Sequence, residues 1–315
     1  MNAGTGWQSN MQPKTAEVPT FLVTGCNGQV GFELQRSLAP LGRVIALDRA
    51  RCDLTRPDRI GQVVREFRPD VIVNPAAYTA VDKAESDAET VFAINGTAVC
   101  VLAEEAKALG SLLVHYSTDY VFDGRKDGAY VESDPVGPQS VYGKSKLAGE
   151  QAVAASGAAA LVLRTCWVAG AHGGNFAKTI LKLGRERDSL RVIADQFGAP
   201  TTAALIADVT GQIVARHWLF GERGAFPGGV YHLAAAGETT WHGYATEVLG
   251  YAAGKGLALR VDPTSIEAIP ATASPLLAPR PSNSRLDTSK LRAAFGINLP
   301  DWRQGIHHLL DQILP

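Results

Sequence analysis

A chain of 315 residues that is 46% hydrophobic and 19% charged has the composition of a globular protein, with a large core and one or two domains. The 30 Lys and Arg stand against 31 Asp and Glu. That balance provides no field to hold nucleic acid or an anionic membrane, and neither is expected as a partner. Cys26, Cys52, Cys100 and Cys166 are scattered without a CxxC pair, which points to free thiols in a reducing cytoplasm and to no metal site.

Residues 1–19 are polar, carry Gly4, Gly6, Pro13 and Pro19, and hold no apolar run that would serve as a signal peptide or membrane span. They are expected to form a disordered extension in which Trp7 has no evident partner. From Thr20 onward short β-branched runs alternate with helical stretches, the pattern of a parallel sheet covered on both faces. Thr20 to Thr24 reads as a first strand, Gln29 to Leu38 as a helix, and Arg43 to Leu47 as a second strand ending at Asp48. Pro57 suits a first helical position, with Thr55 as a cap. Asp70 to Asn74 reads as a third strand stopped by Pro75. Glu85 to Leu109 keeps helical spacing up to Gly110, a natural stop. Leu112 to Tyr116 reads as a fourth strand, residues 123–138 as a long loop and active-site flap, Gln139 to Ala155 as a helix, and Ala160 to Thr165 as a further strand.

The expected architecture is α/β, a Rossmann-type doubly wound parallel sheet with a smaller C-terminal substrate-binding domain. The dinucleotide-binding part covers 20–169 with contributions from 195–235, and 170–315 is mainly the substrate part. Glycine-rich breaks at 170–174 and 221–229 and a proline-rich stretch at 270–281 divide that second region into short elements.

Two motifs carry the chemistry. Gly25, Gly28 and Gly31 follow the first strand and open a helix, so the backbone can turn tightly and offer helix N-terminal amides to a pyrophosphate. Gln29 and Val30 lie within that turn. Asp48, about twenty residues on, is placed for the adenosine ribose and favours NADH, whereas Arg49 beside it could accept the extra phosphate of NADPH. NADPH or NADH is therefore the expected cofactor. Asp53 and Leu54 would suit the adenine edge, although Asp53 would serve equally as a helix-entry cap. Ala76, Ala77 and Tyr78 follow the third strand, where small side chains let a cofactor lie against the backbone.

The second motif is Tyr142 and Lys146, four residues apart and so on one face of a helix. A tyrosine is a poor acid-base group near neutrality unless a cation supports its phenolate, and a lysine one turn away provides that cation. Thr118, at the end of the fourth strand, can donate to a carbonyl oxygen, and would serve equally as a helix or turn cap. Asp119 could be a turn former. His115 reads as a satisfied core residue.

These residues, with the strings Asn74 to Glu85, His115 to Phe122, Tyr142 to Glu150, Arg164 to Val168 and Arg280 to Leu286, closely resemble the dTDP-4-dehydrorhamnose reductases, a branch of the extended short-chain dehydrogenase/reductase family. The resemblance runs from about residue 20 to the end. It implies reduction of the 4-keto group of dTDP-4-dehydro-L-rhamnose by a nicotinamide hydride, giving dTDP-L-rhamnose for surface polysaccharide. It further implies Tyr142 as proton donor, Lys146 as holder of the nicotinamide ribose, and Thr118 as the hydroxyl that polarises the carbonyl. Gly28, Gln29 and Val30 match its pyrophosphate turn, Asp48, Asp53 and Leu54 its adenosine end, and Ala76, Ala77 and Tyr78 its cofactor lining. Trp167, beside Thr118 and Asp119, matches a substrate-contacting aromatic.

Some members are dimers bridged by magnesium through glutamates. Here Glu33 fits one such position while the others are Ala204 and Gln312, so a monomer or weak homodimer without a metal bridge is expected. Asn175, Gln196, Trp241, His242, Arg280 and Asn283 are further candidates to grip the sugar nucleotide. Arg280 and Asn283 are preferred, since an arginine pairs well with a diphosphate. Two alternatives stay open: another nucleotide-sugar reductase, epimerase or dehydratase, and a non-catalytic NADP-binding regulatory subunit. The intact Thr118, Tyr142 and Lys146 argue against the latter.

Overall fold

The computed structural model describes residues 18–274 and 276–314; nearly all of the expected N-terminal extension, Trp7 included, lies outside them. Six strands form the central sheet: β1 (Thr20–Val23), β2 (Arg43–Ala46), β3 (Val71–Asn74), β4 (Leu112–Thr118), β5 (Ala160–Thr165) and β6 (Gly229–His232). Their order is β6-β5-β4-β3-β1-β2 and every pairing is parallel. The chain leaves β1 for β2 on one side and for β3 on the other. Such a reversal opens a crevice at the carboxyl ends of the strands, where doubly wound folds bind ligands.

Alternation along each strand feeds two cores. Phe21, Val23, Val71, Val73, Leu112 and Val114 face α1 (Gln29–Leu38) and α6 (Ala203–Ile213), meeting Leu34, Leu38, Ile206 and Ile213. Their neighbours Leu22, Ile72, Leu113 and Val162 face the other way, onto Ile60 and Val64 of α2 (Pro57–Phe67) and Val99 and Leu102 of α3 (Ala98–Leu109). With both faces covered, β3 and β4 are buried at every position. A third core lies beyond the sheet, where Leu181 of α5 (Phe176–Glu186), Tyr244 and Val248 of α7 (Trp241–Gly254), and Trp302 and Ile306 of α8 (Trp302–Ile313) pack together.

Three elements depart from the expected boundaries. The single helix expected over Glu85 to Leu109 is broken: Ala88–Phe92 is helical, Ala93–Thr97 forms a wide π turn, and α3 follows. The π turn accommodates Asn95, which is buried and bonded outside its own helix. Thr55 does not cap α2, because its hydroxyl donates to Asp53 Oδ1 at 2.8 Å. The loop at 123–138, expected as a flap, is stitched to the C-terminal segment: Tyr130 N donates to Arg285 O, and Asn283 Nδ2 donates to the carbonyls of Lys126 and Gly128.

Candidate active site

The glycine turn is tight for a visible reason. Gly25 has φ +56, and a Cβ there would come within 2.8 Å of the Ala76 methyl. A Cβ on Gly31 would run into the Gly25 carbonyl. Any side chain at either position would fill the cradle. Gly28 precedes α1 without a side-chain cap and the first turn holds no acidic residue, so its amides remain available to an anion. This donor set fits a dinucleotide pyrophosphate. Gln29 is otherwise engaged, its Oε1 accepting from Gly170 N at 2.8 Å and Asn175 Nδ2 at 3.0 Å, which ties the turn to the C-terminal half.

Helix α4 (Val141–Ser156) starts where Ser140 Oγ accepts from Gly143 N at 3.1 Å. Two glycines let it press against the sheet: a Cβ on Gly143 would strike the Tyr120 carbonyl, and one on Gly149 the Asn95 carbonyl. Lys146 is thereby carried to β4 and is 2% exposed, with Nζ donating to Tyr116 O at 2.6 Å. Burial lowers its pKa to about 8, and the Glu150 charge opposes that fall. Glu150 is itself held by Arg164, whose Nε and Nη2 donate to its two oxygens at 2.8 and 2.6 Å.

Tyr142 sits edge-on to Tyr120, with ring centroids 5.4 Å apart. Burial raises the pKa of its hydroxyl above the ordinary tyrosine value, the nearby Thr118 hydroxyl works the other way, and the Asp119 charge adds to the rise. The phenol is therefore protonated near neutrality but a weaker acid than a free tyrosine, so release of its proton depends on a nearby cation. The Thr118 hydroxyl donates to Asp119 Oδ1 at 3.0 Å and accepts from Tyr120 N at 3.2 Å, so it also caps the following turn. Asp119 is buried, and desolvation lifts its pKa to about 6 against the hydrogen bonds of Ser284 and Thr118. Its Oδ2 has no partner among the described residues.

One cavity of about 560 Å³ gathers Gly25, Gly28, Gln29, Val30, Gly31, Ala76, Ala77, Thr118, Asp119, Tyr142, Lys146 and Trp167. Trp167 adopts a left-handed backbone, φ +46, which costs a bulky residue about 1–3 kcal/mol. Its ring stacks on Trp241, with centroids 3.7 Å apart and planes at 17°, and both rings line the cavity. Strain at this position is the expense of holding an aromatic floor opposite the helix of Tyr142.

Other expected site residues stand apart from this cavity. Leu54 points into the core and is 7% exposed, with most of its side chain packed beneath α2. Asp53 accepts from both Thr55 N and Thr55 Oγ1, making it the turn cap. Tyr78 meets the site through its backbone, whose N–H and C=O are both bound by the Asn95 amide. Asp48 Oδ1 accepts from Arg51 N. Arg49, Asp53, Arg56 and Arg59 line a separate hollow of about 570 Å³. Arg280 is paired with Asp82 at 2.8 Å. Asn283 is 4% exposed and its amide is consumed by Lys126, Gly128 and Arg285, so the expectation of a sugar contact is replaced by a role in pinning the 123–138 loop.

Sequence reasoning passed over Asn95. A polar side chain among Val91, Ile94 and Ala98, on the apolar face of a helical stretch, was the available signal.

Glu33, Ala204 and Gln312 do share one cavity, but Arg36 bonds Glu33 at 3.0 Å and Asp208 at 2.9 Å, occupying the carboxylates there. No cluster of three or more metal-binding side chains occurs among the described residues, and none of their helices is long and apolar enough to cross a membrane.

A family model for the RmlD substrate binding domain matches residues 20–314. The dTDP-4-dehydrorhamnose reductase of Burkholderia thailandensis is 50% identical over 286 residues, covering 91% of this chain and 96% of its own. That of Escherichia coli K12 is 46% identical over 297 residues, with 93% and 97% covered. A crystal structure of the Bacillus anthracis dTDP-4-dehydrorhamnose reductase in complex with NADP superposes with a TM-score of 0.85 at 31% identity, over 94% of this chain and 99% of that one. Matched along nearly its whole length, and with the glycine turn, Thr118, Tyr142 and Lys146 gathered around one cavity, the chain belongs to the dTDP-4-dehydrorhamnose reductase family.

Proposed function

We propose that this chain reduces the 4-keto group of dTDP-4-dehydro-L-rhamnose to give dTDP-L-rhamnose. The observation that carries the reading is the single cavity in which a proton donor, a hydroxyl and a buried lysine face a dinucleotide turn. A reduced dinucleotide held by its pyrophosphate at the glycine turn would supply the hydride from its nicotinamide. Tyr142 gives its proton to the carbonyl oxygen as charge develops there, and Thr118 turns its hydroxyl to the same oxygen. Lys146 holds the ribose side of the site and supplies the positive charge that eases loss of the Tyr142 proton. The Trp167–Trp241 stack presents an apolar face to the sugar ring and helps exclude water.

The adenosine end supports a preference for NADPH. Asp48 accepts one bond in its own turn, from Arg51 N to Oδ1, while Arg49, Arg56 and Arg59 outnumber Asp53 around the adjacent hollow and offer charge to a phosphate. We read the protein as cytoplasmic, and as a monomer or weak homodimer without a metal bridge, since Arg36 neutralises Glu33 and Asp208.

The reaction site is tested by isotope. With NADPH carrying deuterium at the transferable position, product dTDP-L-rhamnose should hold one deuterium at C4 of the sugar by NMR. Label at another carbon, or unlabelled product, would contradict the assignment.

A further inference from the structure

The contact beneath Lys146 is not explained by cofactor binding. His115 on β4 is 0% exposed, and its Nε2 lies 3.3 Å from Lys146 Nζ. On its other side Nδ1 lies 3.1 Å from the Asn74 amide, which in turn is 2.6 Å from Thr24 Oγ1. Asn74 and Thr24 are also buried, at 0% and 1% exposed, so the four side chains form a line sealed from solvent. Gly149 packs beside this line, where a Cβ would strike the Asn95 carbonyl while making only ordinary contact with His115 Nε2.

Proton counting fixes what such a line can do. Burial and the Lys146 charge hold the His115 pKa well below the ordinary histidine value, so the ring is neutral and has one N–H to place. An ammonium at Lys146 needs an acceptor at Nε2. The ring proton must then sit on Nδ1 and the Asn74 amide must turn its oxygen toward it. With the amide nitrogen toward Nδ1, the orientation drawn in the structure, the ring proton is left on Nε2, and that arrangement suits only an uncharged amine. The two arrangements differ by a half-turn of one amide. A half-turn that puts the amide oxygen on Nδ1 also turns the amide nitrogen to Thr24 Oγ1, which can accept from it, so the charge of Lys146 decides which arrangement satisfies every group.

We propose that His115, backed by Asn74, is a positioning residue for the reduction: its neutral ring accepts a hydrogen bond from the Lys146 ammonium, fixes Nζ, and favours the charged lysine. This rests on the reading of Lys146 as the cation that assists Tyr142. The other groups around Lys146 are Tyr142 and Glu150 on its own helix, Asp119 after β4, and Arg164 on β5. Arg164 is spent on Glu150, and Asp119 acts on Tyr142, so His115 is the side chain that contacts Nζ directly.

The sign follows from stabilisation of the charged form: removing the acceptor lowers the Lys146 pKa. In His115→Leu the alkaline fall of kcat should move to lower pH by about 1 unit, while KM for NADPH changes less than kcat. His115→Gln, whose amide oxygen can replace Nε2 as acceptor, should return the profile toward that of the wild type. A folded His115→Leu protein with an unmoved alkaline limb would overturn the proposal, because a merely structural residue would lower turnover at every pH alike.

Wild-type protein with ¹⁵N-labelled histidine provides a second readout that needs no variant to fold. The His115 signal should show protonated Nδ1 and bare Nε2 near neutral pH. A protonated Nε2 or an imidazolium there would overturn the proposal by itself. Lys146→Met separates the two levels: retained turnover would remove the parent reading, whereas lost turnover with an unmoved His115→Leu profile would remove only this inference.

Discussion

Tyr142→Phe should lower kcat by about 10²- to 10⁴-fold, the range over which a positioned general acid contributes, equivalent to roughly 3 to 5 kcal/mol of transition-state stabilisation. The substitution removes one hydroxyl and keeps the ring. Its edge contact with Tyr120 remains, and the Ser140 cap that begins the helix is untouched. Affinity for NADPH should stay within a few-fold of wild type, because the turn that holds the pyrophosphate belongs to a different element. Single-turnover rates with a fluorescence titration of NADPH separate the two quantities. Turnover near that of the wild type would take Tyr142 out of the chemistry. A parallel collapse of rate and NADPH affinity would indicate that the ring, rather than the proton, mattered.

The largest effect on stability is expected from Glu150→Ala. Glu150 and Arg164 each have side chains 5% exposed and form a two-bonded pair. Arg164 also lies 5.0 Å over the Phe122 ring, and its Nη1 has no hydrogen-bond partner among the described residues. Deleting the carboxylate leaves a guanidinium buried without its counter-charge, which costs about 3–5 kcal/mol. Against a total stability of about 5–15 kcal/mol that is a large fraction. The chemistry would feel the loss as well. Glu150 is one turn from Lys146 and opposes the fall of its pKa, so its removal should leave less ammonium near neutrality. Denaturant midpoints read the first effect. An unchanged midpoint would mean that the pair contributes no more than an exposed one.

The parts of this site that could be read from sequence are those governed by neighbours. The strand, glycine turn and helix from Thr20 to Leu38 follow local rules, and Tyr142 and Lys146 needed only helical spacing to share a face. Thr118 needed only the end of a strand. What escaped depends on distant partners. The side chain of Gln29 is tied to Gly170, 141 residues later, a contact that leaves its backbone amide to the pyrophosphate turn. Trp167 stacks directly on Trp241, 74 residues later, a pairing that no periodicity encodes. Leu54, expected at the adenine edge, also completes the core beneath α2, a packing role set by residues distant in the chain. How Lys146 is held one turn from Tyr142 also depends on its tertiary setting. No hydrogen bond joins the two side chains, and Nζ is turned instead to Tyr116 O and His115.

The most direct test is the loss of reduced-nicotinamide absorbance when dTDP-4-dehydro-L-rhamnose, made in situ by the preceding enzymes, is added with NADPH and NADH in parallel. We predict rapid oxidation dependent on the sugar, dTDP-L-rhamnose as the product, and a lower KM for NADPH than for NADH. No oxidation by a folded protein that binds NADPH would contradict the reductase assignment, and would direct attention to a regulatory role or to a different nucleotide sugar.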